Sequence, residues 1–386
     1  MILAPPLRVK AAETRLIPAG FYPSLETGLL WNDNVFRREN DEETDLLYIA
    51  RPTLHWKAGT PRYDLNLNYQ GNYGVYRTLN EQDYMDHAMS AGIGFQPTDK
   101  LGLEISDQYK IGHDQPGAAG TQIFSPRKPN RWHRNHFRAH LTYGRLIATA
   151  QLQLTFEETG WRYQNNRREF SDRNLHTGTA AWLYHIRPKT WLVTEFQYQI
   201  VDYQSNNPVD LDSDKWYLFQ GVKWEPSPIT RGQILVGYIR NIPNEKRLFR
   251  EFSGIGAQAS IDWRPIPYSR GTLAVERMPA TGSIATSFYL ASRVRLNWRH
   301  KFTELLTVQT NAAYEKDDYS FNKFGPTRKD HLLHFGLRLE YKFRPWLSMG
   351  LQYNYDFRDS SLKFSDYTNN TVGFHVQILP EYARSL

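Results

Sequence analysis

The sequence predicts an all-β protein, a transmembrane antiparallel up-and-down β-barrel of about 18 strands, with roughly 16 to 18 as the range. Three observations predict this fold. Apolar and polar residues alternate over long segments, short and long connections take turns along the chain, and no apolar run is long enough for a spanning helix. Residues 337–358, LRLEYKFRPWLSMGLQYNYDFR, show the alternation most clearly.

In this stretch apolar and polar side chains alternate residue by residue. Leu337, Leu339, Tyr341 and Phe343 are separated by charged residues, and the alternation resumes after Pro345 for about a dozen residues. A period of two puts one set on each face of a strand. Strands of soluble proteins usually have about 5 or 6 residues, whereas a tilted membrane strand needs about 9 to 11. We therefore expect a membrane hairpin with a tight turn at Pro345.

The same alternation recurs elsewhere, at residues 62–77, 148–158 and 288–302. Between such segments the connections alternate in length. The short, turn-like ones are GTPR, PTDK, GR, RPKT, PSPIT, PIPYS, HKFTE and RPW. The long, polar ones lie at 37–45, 78–83, 114–134, 160–173, 205–214, 244–253, 322–329 and 358–366. Short turns on one side and long loops on the other are typical of bacterial outer-membrane barrels, so we expect a multi-pass barrel in the outer membrane.

Composition agrees with this location. Aromatic residues make up 14% of the chain, which suits the interfacial girdles of a membrane barrel, and there is no Cys. The absence of Cys agrees with an oxidising compartment. We expect three segments: a leader or signal remnant at 1–20, the barrel at 21–380 and a short tail at 381–386.

Basic side chains are frequent at positions that the alternation turns inward, and the formal net charge is +7. Such a wall would concentrate an anionic solute or polymer. In the alternative, these side chains pair with Glu104, Glu157, Glu195, Glu315 and Glu340 and only solvate the wall. The inward basic residues are Lys110, Arg138, Lys223, Arg293, Arg295, Arg299, Arg338, Lys342 and Arg344.

The longest predicted loop runs from Gln115 to Arg134. Its candidate gating residues are Arg127, Lys128, Arg131 and Trp132, with the Trp132 indole placed to stack on sugar rings. The sequence leaves two positions open for this loop, folded inward as a constriction or covering the external mouth.

We expect neither a metal site nor any other cofactor. The acidic cluster of the first external loop (Asp33, Asp41, Glu42, Glu43 and Asp45) does not have the spacing of a Ca²⁺ loop. His331 and His334 would lie on opposite faces of a strand. No G-x-S-x-G or other nucleophile arrangement indicates an enzyme. Nucleic-acid binding is not expected, because the aromatics occupy the face opposite the charge.

Three stretches near the N-terminus resemble a β-barrel porin family of exopolysaccharide operons: YPSLETGLLWNDNVFR at 22–37, DYMDHAMSAGIGF at 83–95 and IGHDQPG at 111–117. The resemblance covers the first third of the chain. It implies an outer-membrane pore encoded with polysaccharide assembly genes.

The first functional hypothesis is therefore export of an anionic exopolysaccharide from periplasm to surface. The alternatives are a general diffusion porin that prefers anions and a structural or adhesive barrel plugged by its own loops. Expected partners are outer-membrane lipid and lipopolysaccharide, the polysaccharide, and periplasmic polysaccharide-assembly proteins.

Overall fold

The computed structural model describes residues 19–117, 127–145, 148–205, 209–281, 288–319, 321, 323 and 327–379. Residues 1–18 of the expected leader and the whole expected tail lie outside them. Within them, strands account for most residues. The strands are β1 (Gly20–Asn32), β2 (Asp45–Gly59), β3 (Tyr63–Tyr76), β4 (Tyr84–Thr98), β5 (Leu101–His113), β6 (Arg131–Tyr143), β7 (Ala150–Tyr163), β8 (Arg173–Arg187), β9 (Thr190–Tyr203), β10 (Ser213–Ser227), β11 (Thr230–Pro243), β12 (Phe252–Ile266), β13 (Ser269–Thr281), β14 (Phe288–Lys301), β15 (Leu306–Asp318), β16 (Lys329–Arg344), β17 (Leu347–Ser360) and β18 (Tyr367–Ile378).

Each strand pairs antiparallel with the strands before and after it, and the sheet closes on itself. β1 supplies the closure, because Leu25 aligns with Pro52 on β2 and also with Ile378 on β18. The predicted fold, an antiparallel up-and-down barrel of 18 strands, is confirmed. At this strand number a barrel is wide enough for an aqueous lumen.

The connections divide into two sets at opposite ends of the barrel. Eight connections of two to six residues lie at the end that also holds the start of β1 and the end of β18. Nine connections of six to seventeen residues lie at the other end. All eight predicted turns fall at the first end, called here the short-turn end. The ninth connection of the long-loop end, between Thr281 and Phe288, was not predicted.

Helices are almost absent from the described part of the chain. It contains two 3₁₀ helices, Asn80–Gln82 and Glu169–Ser171, both between strands of the long-loop end. No helix there is long and apolar enough to cross a membrane.

The outer surface of the barrel is apolar across its middle and aromatic towards both ends. Mid-strand side chains such as Leu67, Ile93, Leu218 and Leu351 are exposed. Exposed aromatics near the short-turn end include Tyr143, Tyr268, Trp298, Phe302 and Phe343. Those near the long-loop end include Trp31, Tyr48, Trp216 and Tyr238. An apolar band between two aromatic girdles is the outer surface of a barrel that crosses a membrane.

The facing of β17 gives a direct test. Leu351 is 56% exposed on the outer surface, and the adjacent Gln352 points inward. We expect Leu351→Arg to hinder barrel assembly, because an arginine facing lipid costs up to about 2 to 4 kcal/mol at the membrane midplane. Gln352→Arg adds the same charge to the inner wall and should assemble normally. The measurement is the folded fraction in isolated outer membranes; equal loss in both variants would contradict the facing.

Candidate functional site

The inner wall has two unlike sides, and the first is packed with apolar side chains. Inward residues of β8 to β11 contact one another, and Met278 of β13 joins them. This apolar cluster consists of Ala181, Leu183, Trp191, Val193, Tyr217, Phe219, Leu235, Ile239 and Met278. All its members are buried, so this side of the wall does not offer a path to water-borne solutes.

Met278 reaches the cluster because β13 separates from β12. The pairing between these strands ends at Ala257 and Arg277, while β13 continues with β14 to Thr281. Beyond that point both faces of the β13–β14 hairpin are buried. Gly256 on β12 makes the packing possible, since a side chain there would collide with Ile239. The hairpin therefore thickens the packed side of the wall.

The other side carries a charged network centred on Glu26 of β1. Its Oε1 accepts a hydrogen bond from Arg51 Nη1 at 2.9 Å, and its Oε2 accepts one from Arg338 Nη2 at 2.8 Å. Arg51 also donates from Nε to Asn72 Oδ1 at 3.0 Å. Arg338 lies on β16, three strands from β1, so the pair spans the inner faces of β17 and β18. Arg338 Nε also lies 3.8 Å from Glu340 Oε2, so two carboxylates balance the two guanidinium groups of this network.

A second cluster lies where β13, β14 and β15 adjoin. Arg293 Nη2 lies 2.6 Å from Glu315 Oε1, and its Nη1 lies 3.9 Å from Glu276 Oε1. Arg295 Nη1 lies 3.9 Å from Glu276 Oε2. Arg293 is only 5% exposed, so its positive charge is balanced by these two carboxylates and does not reach the lumen.

The nine predicted basic residues all lie on strands, but they are not equally available. Lys223 is 7% exposed, because the apolar cluster packs against it, and Arg293 is 5% exposed between Glu276 and Glu315. They do not line an accessible passage. Arg138 Nε lies 3.3 Å from Glu157 Oε1. The substrate-path role of the set stays a prediction.

Four of the nine form no ion pair with any described carboxylate: Lys110, Arg299, Lys342 and Arg344. Arg299, Lys342 and Arg344 are exposed, and Lys110 is half-buried. Sequence reasoning missed Glu26 and Arg51, although the alternation within β1 and β2 puts both on the inner face. It placed Arg134 at the end of the loop, whereas Arg134 lies on the inner face of β6.

The loop between β5 and β6 enters the lumen from the long-loop end. Arg37 Nη1 donates to the Pro116 carbonyl at 2.6 Å, and Arg358 and Tyr367 both donate to the Gly117 carbonyl. Arg358 and Tyr367 belong to β17 and β18, six and five strands from β5 around the sheet. The loop therefore crosses part of the lumen.

Two details hold this crossing in place. Gly117 has φ of +69°, and a Cβ there would lie 2.7 Å from Tyr367 Cε1, so a glycine is required. Arg37 Nη2 also donates to Asp356 Oδ2 at 2.7 Å. Burial lowers the pKa of Arg37, but the Asp356 carboxylate raises it, and the net pKa lies above its ordinary value. The guanidinium stays charged against the carbonyl.

The predicted gating residues have varied positions. Arg131 and Trp132 belong to β6 and not to the loop, because the strand pairing begins at Arg131. The Trp132 ring packs on Trp161 with centroids 4.9 Å apart. Arg127 and Lys128 do lie in the loop, where their carbonyls accept bonds from Gln82 and Asn166. Residues 118–126 lie outside the described residues, and a gating role stays a prediction.

The acidic cluster of the first long loop is used within the structure. Asp33 accepts a hydrogen bond from the Asn370 backbone at 2.7 Å, and Asp45 accepts bonds from the Thr78 and Leu79 backbones. Glu43 pairs with Arg38 at 3.3 Å. Among the described residues, no group of three His, Asp or Glu side chains is arranged to hold a metal ion.

Closed antiparallel topology, an apolar outer band and a charged inner wall define the class: this is a porin-type barrel. The family follows from the sequence match. The chain belongs to the family described as Putative beta-barrel porin 2, whose model matches residues 20–379.

Solved structures similar to the chain include three bacterial proteins. OpdL of Pseudomonas aeruginosa is 12% identical with a TM-score of 0.45, over 94% of this chain and 99% of that one. OpdO of the same organism is 11% identical with a TM-score of 0.49, over 93% and 97%. OccAB3 of Acinetobacter baumannii is 11% identical with a TM-score of 0.46, over 93% and 98%. No curated protein sequence matches the chain.

A single substitution removes the Arg37 contacts that hold the β5–β6 loop, called here the Arg37 tether. Arg37→Gln removes the bond to Pro116 and the pair with Asp356, so we expect the loop to leave the lumen more often and single-channel conductance in planar bilayers to rise. Arg38→Gln is the matched control, since the Arg38 side chain pairs with the half-buried Glu43 and stacks on Phe36, both within its own loop. A conductance unchanged in Arg37→Gln, or raised equally in both variants, would show that the tether does not restrict the passage.

Proposed function

We propose that this chain forms a passive channel in the bacterial outer membrane and that its inner wall favours small anionic solutes. The observation that carries the proposal is the imbalance of charge on the accessible part of the wall. Four inward basic residues, Lys110, Arg299, Lys342 and Arg344, have no carboxylate partner among the described residues.

An imbalance of this kind acts at a distance within a confined space. Low-dielectric walls of one sign of charge focus the potential and raise the local concentration of counter-ions by an order of magnitude or more. Selectivity of anion pores is built from rings of arginine and lysine in the same way. The proposed mechanism is diffusion along the charged side of the lumen, without any chemical step on the solute.

Export of an acidic exopolysaccharide is the second candidate, since the same charges would attract an acidic polymer. The reach of the β5–β6 loop to Arg358 and Tyr367 favours small solutes, because it narrows the passage at the long-loop end. A barrel fully plugged by its loops is the third candidate, and conductance separates it from the other two. Outer-membrane lipid and lipopolysaccharide remain the expected surroundings.

Charge reversal tests the proposal. In planar bilayers under a salt gradient, we expect the native channel to show a reversal potential of anion-preferring sign. Converting Lys110, Arg299, Lys342 and Arg344 together to Glu should abolish or invert it, because the confined field changes sign.

The control carries the same change of charge on exposed residues of other long connections, Arg77, Arg167, Arg250 and Lys363. Screening over roughly 10 Å at 0.1 M salt should make its effect much smaller. A native channel without anion preference, or equal shifts in the two variants, would refute the proposal.

Orientation can be read by cysteine labelling, because the chain has no native Cys. We expect a membrane-impermeant maleimide to label Glu169→Cys, at the long-loop end, on intact cells. Pro345→Cys, in a short turn, should react only after lysis, since short turns of such barrels face the periplasm. Both positions are exposed, so access alone decides the result. Labelling of Pro345→Cys from outside would reverse the orientation.

A further inference from the structure

The inner wall between β13 and β17 contains a groove of about 360 Å³ whose inward lining consists mainly of guanidinium and amide groups. The strand register arranges these groups in two rows across five strands. The row nearer the short-turn end is Arg270, Arg299, Gln309, Arg338 and Gln352. The second row is Thr272, Asn297, Asn311, Gly336 and Asn354. Neither row contains a carboxylate.

Many of these groups are free to bind a solute. Arg270 is held by Asp262 at 2.5 Å and Arg338 by Glu26 at 2.8 Å, so two oriented guanidinium groups flank Arg299, which forms no ion pair with a described residue. The amide side chains without a hydrogen-bond partner among the described residues are Gln309, Asn311, Gln352 and Asn354. All four are half-buried or exposed, so water reaches them.

Local geometry gives the groove its depth. Gly336 lies between Asn311 and Asn354 in the second row, and a Cβ there would lie 2.9 Å from Asn354 Oδ1. The missing side chain leaves room for the Asn311 and Asn354 amides to lean over the strand from either side. A larger residue at this position would push both amides apart.

The two kinds of group recognise different parts of a ligand. A guanidinium fork binds a carboxylate through two parallel hydrogen bonds. A side-chain amide both donates and accepts, as does a hydroxyl, so neighbouring amides suit a ligand with several hydroxyl groups. An apolar ligand would gain little here, since the inward lining has no aliphatic side chain.

We infer that this groove is a binding subsite for small hydroxylated carboxylates, the class of the sugar acids. The inference rests on the proposed function in one respect, that solutes reach the inner wall, and it deepens that function by naming the preferred solute. Arg299 would bind the carboxylate, and the amides of Asn311 and Asn354 would bind hydroxyl groups.

Titration calorimetry of the full chain in detergent tests the subsite with three probes: gluconate, hexanoate and glucose. Gluconate combines charge with hydroxyls, whereas hexanoate keeps only the charge and glucose only the hydroxyls. We expect gluconate to bind tightest. Arg299→Gln should weaken both carboxylates by about tenfold or more, because a charge-assisted bond contributes roughly 1.5 to 3 kcal/mol. Asn354→Leu should weaken gluconate several-fold and leave hexanoate unchanged, which also shows that the variant is folded.

Arg167→Gln is the matched control, since it removes an exposed cation of the long-loop end, outside the groove and outside the four wall cations, and it should leave gluconate binding unchanged. Equal weakening by Arg167→Gln and Arg299→Gln, or gluconate binding no tighter than hexanoate, would overturn the subsite. If reversal potentials still show anion preference in that case, the proposed function stands without it. If gluconate binds as expected but reversal potentials show no anion preference, the subsite stands and the channel proposal falls.

Discussion

Every backbone N–H and C=O that faces hydrocarbon must be hydrogen-bonded within the protein, because lipid offers no partner and each unpaired group costs several kcal/mol. In this chain the requirement is met by closing the sheet between β1 and β18. Closure makes the strands long and antiparallel, and it assigns alternate side chains to lipid and lumen. The period of two in the sequence is the trace of this backbone constraint. The connections follow from it too, since each strand must turn back at one of two ends.

The same alternation places charged side chains on the inner wall, and the two halves of the wall differ in how many of these charges they contain and how they are paired. Along β8 to β11 apolar side chains replace charge and pack against one another and Met278. Lys223 is buried at the edge of this cluster, where its nitrogen lies 6.0 Å from the Trp191 ring centroid and 3.9 Å from Glu225. On the opposite side, Glu26 pairs with both Arg51 and Arg338, and Glu340 also lies near Arg338. Charge is therefore paired in both places, and the cations without a carboxylate partner, Arg299, Lys342 and Arg344, lie where the wall is exposed.

Strand number, facing and the two kinds of connection were predictable from sequence, because each depends on residues that are close in the chain. The inward facing of Arg299 follows from Leu296 and Trp298 as neighbours on β14. The burial of Arg293, six residues earlier, did not follow, because it depends on Glu315 of the next strand and on the β13–β14 hairpin leaving β12. The contact of Arg37 with Pro116 joins residues 79 positions apart through two loops that have no periodic pattern. Alternation predicts which face of the strand a side chain occupies. It does not predict which residues distant in the sequence will pack against that face.

The loop crossing and three of the four unpaired cations lie at different heights in the barrel, whereas Lys110 lies near the long-loop end. Under the proposed function this separation would have a consequence for selectivity. The β5–β6 loop is anchored by Arg37, Arg358 and Tyr367 at the long-loop end. Arg299, Lys342 and Arg344 lie in the half nearer the short turns. A constriction selects by size, whereas a field from unpaired cations selects by sign over a distance of about 10 Å. Under the proposed function the two selections would act in series, so a solute would have to satisfy both, and neither region would need to perform both tasks. The crossing loop could then change without altering the proposed preference for anions, and the basic residues could change without widening the passage.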